Sequence, residues 1–209
     1  MLTTPESIRT LQRKLYRKAK QEPAYRFYAL YDKVYRADIL SHAYRLVRAN
    51  KGSAGIDGVT FEAIENAEGE TAFMAELQEA LKSKSYAPSP VKRVMIPKAD
   101  GSKRPLGIPT IRDRVAQMAV KLVIEPIFEA DFCDGSYGFR PKKSAHDAVN
   151  DIGYALNCGY TDVIDADVSK YFDSIPHAKL LAVVAERIVD GAILHILRMW
   201  LKAPVVGED

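Results

Sequence analysis

Apolar residues recur every three to four positions over much of the chain, which is the spacing of amphipathic helices. The stretches with this spacing are 6–22, 28–35, 39–51, 73–81, 111–127, 145–156, 177–187 and 190–202. Thr110 and Ser144 directly precede two of them, and their hydroxyl groups can accept hydrogen bonds from the first free backbone N–H groups of a helix. The pattern therefore predicts a helix-rich chain.

A β-hairpin is predicted near residues 91–108. Val91–Pro97 alternates apolar and basic residues, Ala99–Ser102 is typical of a turn, and Lys103–Ile108 can return as the partner strand. Lys98 and Arg104 can project from opposite strands toward one point, where an ammonium and a guanidinium suit a triphosphate. Basic side chains also protect exposed hairpin edges from aggregation, and the residues alone favour that interpretation.

Thr161–Val168 has the pattern of a buried strand, with Asp165 and Asp167 on the same face. Carboxylates are costly to bury without a partner, so the pair suggests either a divalent metal site or a strand end that reaches water. The spacing alone favours the second interpretation. Few residues follow this strand to supply its neighbours. The predicted fold class is therefore α+β, helix-rich with a β-hairpin and a central strand in an incomplete sheet.

The charge is unevenly distributed along the 209 residues, although the net charge is only +3. The first 51 positions hold 12 Lys and Arg residues against four acids. A second basic stretch runs over 92–121, and 62–79 between them is acidic. Such segregation is typical of a surface that meets a polyanion, but solvated helix faces produce it equally well. Charge alone does not decide between them.

Composition also bears on the cellular location of the chain and on the state of its two cysteines. The chain has no long apolar run and no secretory signal at its start, so we expect a cytoplasmic location and no membrane partner. Cys133 and Cys158 lack the spacing of metal ligands or of a disulfide framework, which indicates reduced thiols.

Four segments in order carry a family resemblance. They are NKGSAGIDGVT (50–60), IPKADGSKRPLGIPTIRDRVAQ (96–117), SYGFRPKKSAHDAV (136–149) and VIDADVSKYFDSI (163–175). Together they resemble successive blocks of the reverse transcriptases encoded by group II introns, also called maturases, over about residues 30–204. Reverse transcriptases of retrons or of the CRISPR-associated type are an alternative, but the first block favours the intron class.

The resemblance implies a right-hand polymerase fold. Residues 1–60 would form an N-terminal helical extension and a template-lid block, 61–160 the fingers, and 161–209 the start of a truncated palm. The implied activity is RNA-directed DNA polymerisation, a nucleotidyl transfer that serves retrotransposition and accompanies intron splicing. The implied cofactor is Mg²⁺, and the implied partners are an RNA template, a DNA primer, intron RNA and deoxynucleoside triphosphates.

The resemblance also assigns roles to individual residues of the polymerase site. Asp167 matches the first catalytic, metal-binding aspartate, with the backbone carbonyl of Val168 assisting, whereas Asp165 has no metal role in the family pattern. Tyr171 and Phe172 match the aromatic region beneath the incoming sugar, with Phe172 favoured as the nearer ring. The hairpin residues that match the contacts to the nucleotide phosphates are Lys98 and Arg104.

A second group of residues matches the path of the template. The glycine-rich block would form a lid, and the start of the helix after the hairpin would contact the nucleic-acid backbone. A basic loop ahead of the helix at 145 is placed for phosphate. The residues implied are Asn50, Lys51, Gly52, Arg112, Arg114, Gln117, Arg140 and Lys142. Glycines in the lid would permit close approach to nucleic acid.

The sequence departs from the family in one respect. The Tyr-x-Asp-Asp block that supplies further metal ligands does not occur in these 209 residues. Two-metal phosphoryl transfer needs ligands for both ions, so we expect no polymerisation by these residues alone, and self-association through an exposed palm edge. The alternative is a non-catalytic RNA-binding module that assists splicing. The presence of Asp167, the aromatic pair, Lys98 and Arg104 together favours a polymerase.

Overall fold

The computed structural model describes residues 2–67, 69–99 and 101–207. The helices of this part of the chain are α1 (Glu6–Gln21), α2 (Tyr31–Val34), α3 (Ala37–Ala49), α4 (Phe61–Asn66), α5 (Gly69–Lys82), α6 (Ile111–Glu129), α7 (Ala145–Asn157), α8 (Tyr171–Ser174), α9 (His177–Arg187) and α10 (Gly191–Leu201). The strands are β1 (Val91–Pro97), β2 (Lys103–Ile108) and β3 (Val205–Gly207). The helix-rich α+β class is confirmed.

Each of the eight helical stretches predicted from apolar spacing contains a helix. The caps are also as predicted, because the Thr110 hydroxyl accepts the Asp113 N–H at 3.1 Å and the Ser144 hydroxyl accepts the Asp147 N–H at 3.2 Å. The short helices α4 and α8 were not predicted, since one turn carries too few residues to show a period.

Helix α6 is the centre of the core and packs against α1 and α3. Its buried side chains lie on several sides, as expected of a helix surrounded by protein. Helix α1 contributes Ile8, Leu15 and Ala19 from one face, while most of its basic residues are exposed. This packing joins the first 50 residues to the segment that directly follows the hairpin.

Two charged side chains anchor the C-terminal helices to distant parts of the chain. The Asp190 carboxylate caps α10 through the Ala192 N–H and also accepts the Leu30 N–H at 2.8 Å and the Tyr31 N–H at 2.9 Å. The buried Arg187 donates to the Ala19 carbonyl at 2.9 Å and pairs with Asp131. Residues far apart in sequence are thereby held in one core.

The hairpin forms with the predicted strands. Strands β1 and β2 pair antiparallel, and the register sets Ile96 opposite Arg104. Of the predicted turn, Asp100 lies outside the described residues. Strand β3 was not predicted; it pairs parallel with β1, and the Val91 N–H donates to the Pro204 carbonyl at 2.7 Å. The sheet order is β2-β1-β3.

The predicted central strand at Thr161–Val168 is wrong. The segment forms no strand, and side chains of both alternating sets are exposed, with Val163 at 75% and Ile164 at 94%. A strand is stabilised by hydrogen bonds to a neighbour and by burial of a face. Within residues 2–67, 69–99 and 101–207, no strand pairs with this segment, so its apolar pattern has nothing to pack against.

None of the helices described here is both long enough and apolar enough to cross a bilayer.

Candidate nucleotide and nucleic-acid site

Lys98 and Arg104 lie on the same face of the hairpin. The Lys98 N–H donates to the Ser102 carbonyl at 2.7 Å, which extends the register beyond the Pro97–Lys103 pair. Because side chains alternate along a strand, Lys98 and Arg104 share the face of Ile96, whereas Lys103 lies on the opposite face. Both cations are exposed, so this face of the hairpin offers two positive groups to solvent.

A buried hydrogen-bond network fixes the joint between the hairpin and α6. The Asp113 carboxylate accepts the Tyr86 hydroxyl at 2.6 Å, the Thr110 hydroxyl at 2.8 Å and the Ser89 N–H at 3.0 Å. The Trp200 indole N–H donates to the Tyr86 oxygen at 2.9 Å. Burial, together with the hydrogen bond to Asp113, raises the pKa of the Tyr86 hydroxyl. The network holds the hairpin, α6 and α10 in one arrangement.

Sequence reasoning missed this network, although one signal for it was present. Thr110 and Asp113 have the Ser/Thr-x-x-acid spacing of a capping box, in which the acid lies in the first helical turn. That spacing indicates a local role for Asp113 in the start of α6. It carries no information about Tyr86 or Trp200, because Tyr86 reaches Asp113, and Trp200 reaches Tyr86, only in the folded chain.

The glycine-rich block packs on the start of α6. Arg114 donates to the Ser53 carbonyl at 2.7 Å, and its guanidinium lies directly against Gly52, where an added Cβ would clash. A Cβ on Gly55 would lie 2.7 Å from the Cα of Thr110. Burial lowers the pKa of the Arg114 guanidinium, and the negative charge of the nearby Asp57 acts in the opposite direction. These glycines therefore permit close approach within the protein itself, to the Arg114 side chain at Gly52 and to the Thr110 backbone at Gly55.

The remaining residues of the predicted lid and template helix are placed as follows. Asn50 and Lys51 follow α3 and are exposed, and Lys51 has a left-handed φ of 48°. The Arg112 guanidinium lies 5.1 Å from the Tyr86 ring centre, and Gln117 is half-buried one turn further along α6. Their contacts with nucleic acid stay predictions.

Arg140 is the centre of the basic loop before α7. Its guanidinium pairs with Glu129 at 2.7 Å and donates to the carbonyls of Cys133 at 2.6 Å and Ser136 at 2.7 Å. A contact between Arg140 and phosphate would compete with these partners. Lys142 is exposed in the same loop, with a left-handed φ of 62°. The structure therefore gives Arg140 a role in shaping the loop, and Lys142 the more accessible charge.

Asp167 lies on the exposed segment that precedes α8. Val168 and the rings of Tyr171 and Phe172 are exposed too, and the two rings meet edge to face at 5.3 Å between centres. Oxygen donors such as the Asp167 carboxylate and the Val168 carbonyl suit Mg²⁺. Among the described residues, however, no group of three potential ligand side chains comes together. The donors are of the right kind but too few for a two-ion site.

The predicted site residues thus fall into separate groups. The lid block contacts the start of α6, which adjoins the hairpin, and the Arg140 loop is attached to the end of α6 through Glu129. Asp167, Tyr171 and Phe172 form a group of their own on the exposed segment. Helix α6 is the common support of the first two groups.

Comparison with known proteins gives a consistent set of relatives. The reverse transcriptase (RNA-dependent DNA polymerase) family matches residues 96–208, more than half of the chain. Protein YkfC of Escherichia coli (strain K12) is 38% identical over 205 residues, which cover 94% of this chain and 52% of YkfC. The group II intron-encoded protein LtrA of Lactococcus lactis subsp. cremoris is 34% identical over 178 residues, 85% of this chain and 29% of LtrA.

A yeast relative extends the same pattern. The COX1/OXI3 intron 2 protein of Saccharomyces cerevisiae is 31% identical over 170 residues, which cover 80% of this chain and 19% of that protein. The chain spans about half the length of YkfC and a smaller part of the other two. The family match and the intron-encoded relatives show that this chain belongs to the reverse transcriptase family, among the group II intron reverse transcriptases and maturases.

Proposed function

We propose that this chain supplies the fingers and the first part of the palm of a group II intron reverse transcriptase, and that it binds an RNA template, a DNA primer and a deoxynucleoside triphosphate. The observation that carries the proposal is the hairpin register, which sets Lys98 and Arg104 on one exposed face. The pairing of a flexible ammonium with a planar guanidinium suits a polyphosphate. Family membership makes a nucleoside triphosphate the natural ligand.

Each part of the site has a distinct task in this proposal. Lys98 and Arg104 offset the charge of the triphosphate, and the exposed ring of Phe172, beside Tyr171, packs beneath the sugar. Asp167 and the Val168 carbonyl contribute oxygen ligands for Mg²⁺, which when bound neutralises charge on the phosphates. The 209 residues contain no Tyr-x-Asp-Asp block. The chain by itself therefore binds its ligands without extending a primer.

The template path in this proposal follows α6. The lid block lies against the start of this helix through Arg114, and the Arg140 loop lies against its end. Phosphates of the template would meet Lys51 near one end of α6 and Lys142 near the other, both of which are exposed. The basic first 51 positions, most of whose cationic side chains on α1 are exposed, would bind intron RNA.

The hairpin provides the test of nucleotide binding. We expect Lys98→Ala and Arg104→Ala each to weaken binding of a fluorescent deoxynucleoside triphosphate by about tenfold, since each removes one charge-assisted contact. The matched control is Lys103→Ala, which removes a charge from the opposite face of the same hairpin and should change affinity by less than about twofold. Affinities would be measured by fluorescence titration.

Fluorescence titrations with the triphosphate and with RNA together distinguish a polymerase from a non-catalytic RNA-binding module. Equal losses in all three variants would mean that the hairpin attracts the nucleotide by net charge and has no specific face. Binding of RNA without any binding of the triphosphate would favour the splicing module over the polymerase.

A further inference from the structure

Phe139 is presented to solvent in an unusual way. Its side chain is 94% exposed, and its backbone is left-handed with φ of 57°. Aromatic residues seldom adopt this conformation, which costs free energy and persists only where the surroundings enforce it. An apolar ring that gains nothing from burial is thus held outward on a strained backbone.

The surrounding loop supplies that enforcement. The carbonyls of Cys133 and Ser136 and the carboxylate of Glu129 all accept hydrogen bonds from Arg140, the residue that directly follows the ring. On the other side, Lys143 donates to the Asp134 carbonyl at 3.0 Å, and the Ser144–Asp147 capping box begins α7. Phe139 therefore extends from a braced loop.

The charge around Phe139 indicates what kind of ligand the ring meets. Its neighbours Arg140, Lys142 and Lys143 are basic. By contrast, the exposed apolar and aromatic side chains of 162–173 lie in a segment that holds four aspartates and one lysine. An aromatic ring beside cations is the combination that binds single-stranded nucleic acid, by stacking on a base while the cations meet phosphate.

We propose that Phe139 stacks on an unpaired base of the RNA strand, with the Lys142 ammonium at an adjacent phosphate. This proposal rests on the proposed function, since it requires that the chain bind RNA. It assigns the base contact to Phe139, the phosphate contact to Lys142 and a positioning role to Arg140.

The test measures binding of a short single-stranded RNA and of an abasic oligonucleotide of equal length and charge, by fluorescence anisotropy over a salt series. Phe139→Ala should weaken binding of the RNA about 5- to 150-fold, the range for loss of one base–aromatic stack. Binding of the abasic strand and the salt slope should stay unchanged, because no phosphate contact is lost. Phe139→Tyr, which keeps a ring, should bind RNA like the wild type.

Two further variants keep the test independent of folding. Phe139→Asn removes the ring while tolerating the left-handed backbone, so it should bind RNA as weakly as Phe139→Ala without a lower melting temperature. Tyr154→Ala removes another exposed ring, on α7, and should leave RNA affinity unchanged. Unchanged RNA affinity in Phe139→Ala, or equal losses on both oligonucleotides, would overturn the stacking role alone. A wild type that binds neither strand would overturn RNA binding itself.

Discussion

At the scale of single residues, the glycine-rich block shows how a sequence motif can have two explanations. Its glycines suggest close approach to a ligand, but Gly52 and Gly55 already lie against Arg114 and Thr110 of the same chain. The backbone of Thr110 is therefore sufficient to require glycine at position 55, whereas a side chain at position 52 would have to displace the Arg114 guanidinium. Any lid function would be built on a loop that Arg114 holds in place.

The close approach at Gly55 predicts the effect of adding one methyl group. Gly55→Ala should lower the free energy of unfolding by about 1–3 kcal/mol, because the Cβ would overlap the Thr110 backbone, which cannot move without shifting α6. Urea denaturation followed by circular dichroism measures the change.

A matched control is Gly153→Ala, in the interior of α7, where an added Cβ meets no atom within 4 Å. Alanine is the better helix former, so this variant should gain about 0.5–1 kcal/mol. If Gly55→Ala were as stable as the wild type, the tight fit between the lid block and α6 would be incorrect.

At the scale of elements, local sequence signals were sufficient to predict helices and strands that are stabilised by contacts within the element or with the adjacent one. The period of α1 and α6, the caps at Thr110 and Ser144, and the turn of the hairpin all predicted the observed structure. The prediction of a strand at Thr161–Val168 was wrong. Alternation of apolar and polar residues indicates only that one face could be buried, whereas a strand also needs a neighbouring strand. Strand β3 was missed because three residues show no period.

The hydrogen-bond network between the hairpin and α6 predicts that stability depends on pH through Tyr86. Its folded-state pKa is raised by burial and by Asp113, so the folded state keeps the phenolic proton more firmly than the unfolded state. The contribution of Tyr86 is then fully present below about pH 10, the ordinary tyrosine pKa, and is lost as the pH rises further. Stability should therefore fall above about pH 10.

Tyr86→Phe tests this linkage. We expect a loss of about 1–3 kcal/mol at neutral pH, since Asp113 loses a donor and Trp200 an acceptor, and a shallower decline above about pH 10. Denaturant unfolding over a pH series measures both effects. Exposed Tyr28→Phe is the control and should change neutral-pH stability by less than about 0.5 kcal/mol. An alkaline slope as steep in Tyr86→Phe as in the wild type would exclude Tyr86 as its source.

At the scale of the whole molecule, one surface has no cover among the described residues. Helix α7 has no buried side chain, and its apolar face, formed by Val149, Ile152 and Leu156, is exposed. An exposed apolar face of this kind suits contact with another protein surface, including that of a second copy of the chain. We propose that the apolar face of α7 and the exposed segment 161–168 each contribute to self-association.

Self-association predicts a mass that rises with concentration in analytical ultracentrifugation. Ile152→Lys should keep the chain monomeric, because it sets a charge on the apolar face. Asn150→Lys adds the same charge off that face and should associate like the wild type. Four aspartates in 162–173 would repel their copies, so salt should strengthen association. A wild type that is monomeric at all concentrations would refute the proposal.

The candidate site was less predictable than the fold, for a reason that also belongs to the whole molecule. The sequence alone could propose Lys98 and Arg104, because a hairpin register follows from local turn chemistry. It could not show that Arg140 is engaged with Glu129, or Arg114 with Ser53, because those contacts join segments 11 and 61 residues apart. The assignment of Asp167 as a metal ligand rests on the family resemblance, because the spacing of Asp165 and Asp167 alone does not indicate a metal site.

The most direct test of the central claim follows binding and extension of one fluorescent RNA–DNA primer–template, with Mg²⁺ and deoxynucleotides, over a salt series. The proposal predicts binding that weakens steeply with salt, no extension of the primer, and nearly equal affinity in Asp167→Ala. Absence of binding at low salt would contradict the nucleic-acid site. Extension that disappears in Asp167→Ala would contradict the inactivity of the chain by itself and show that its active site is complete.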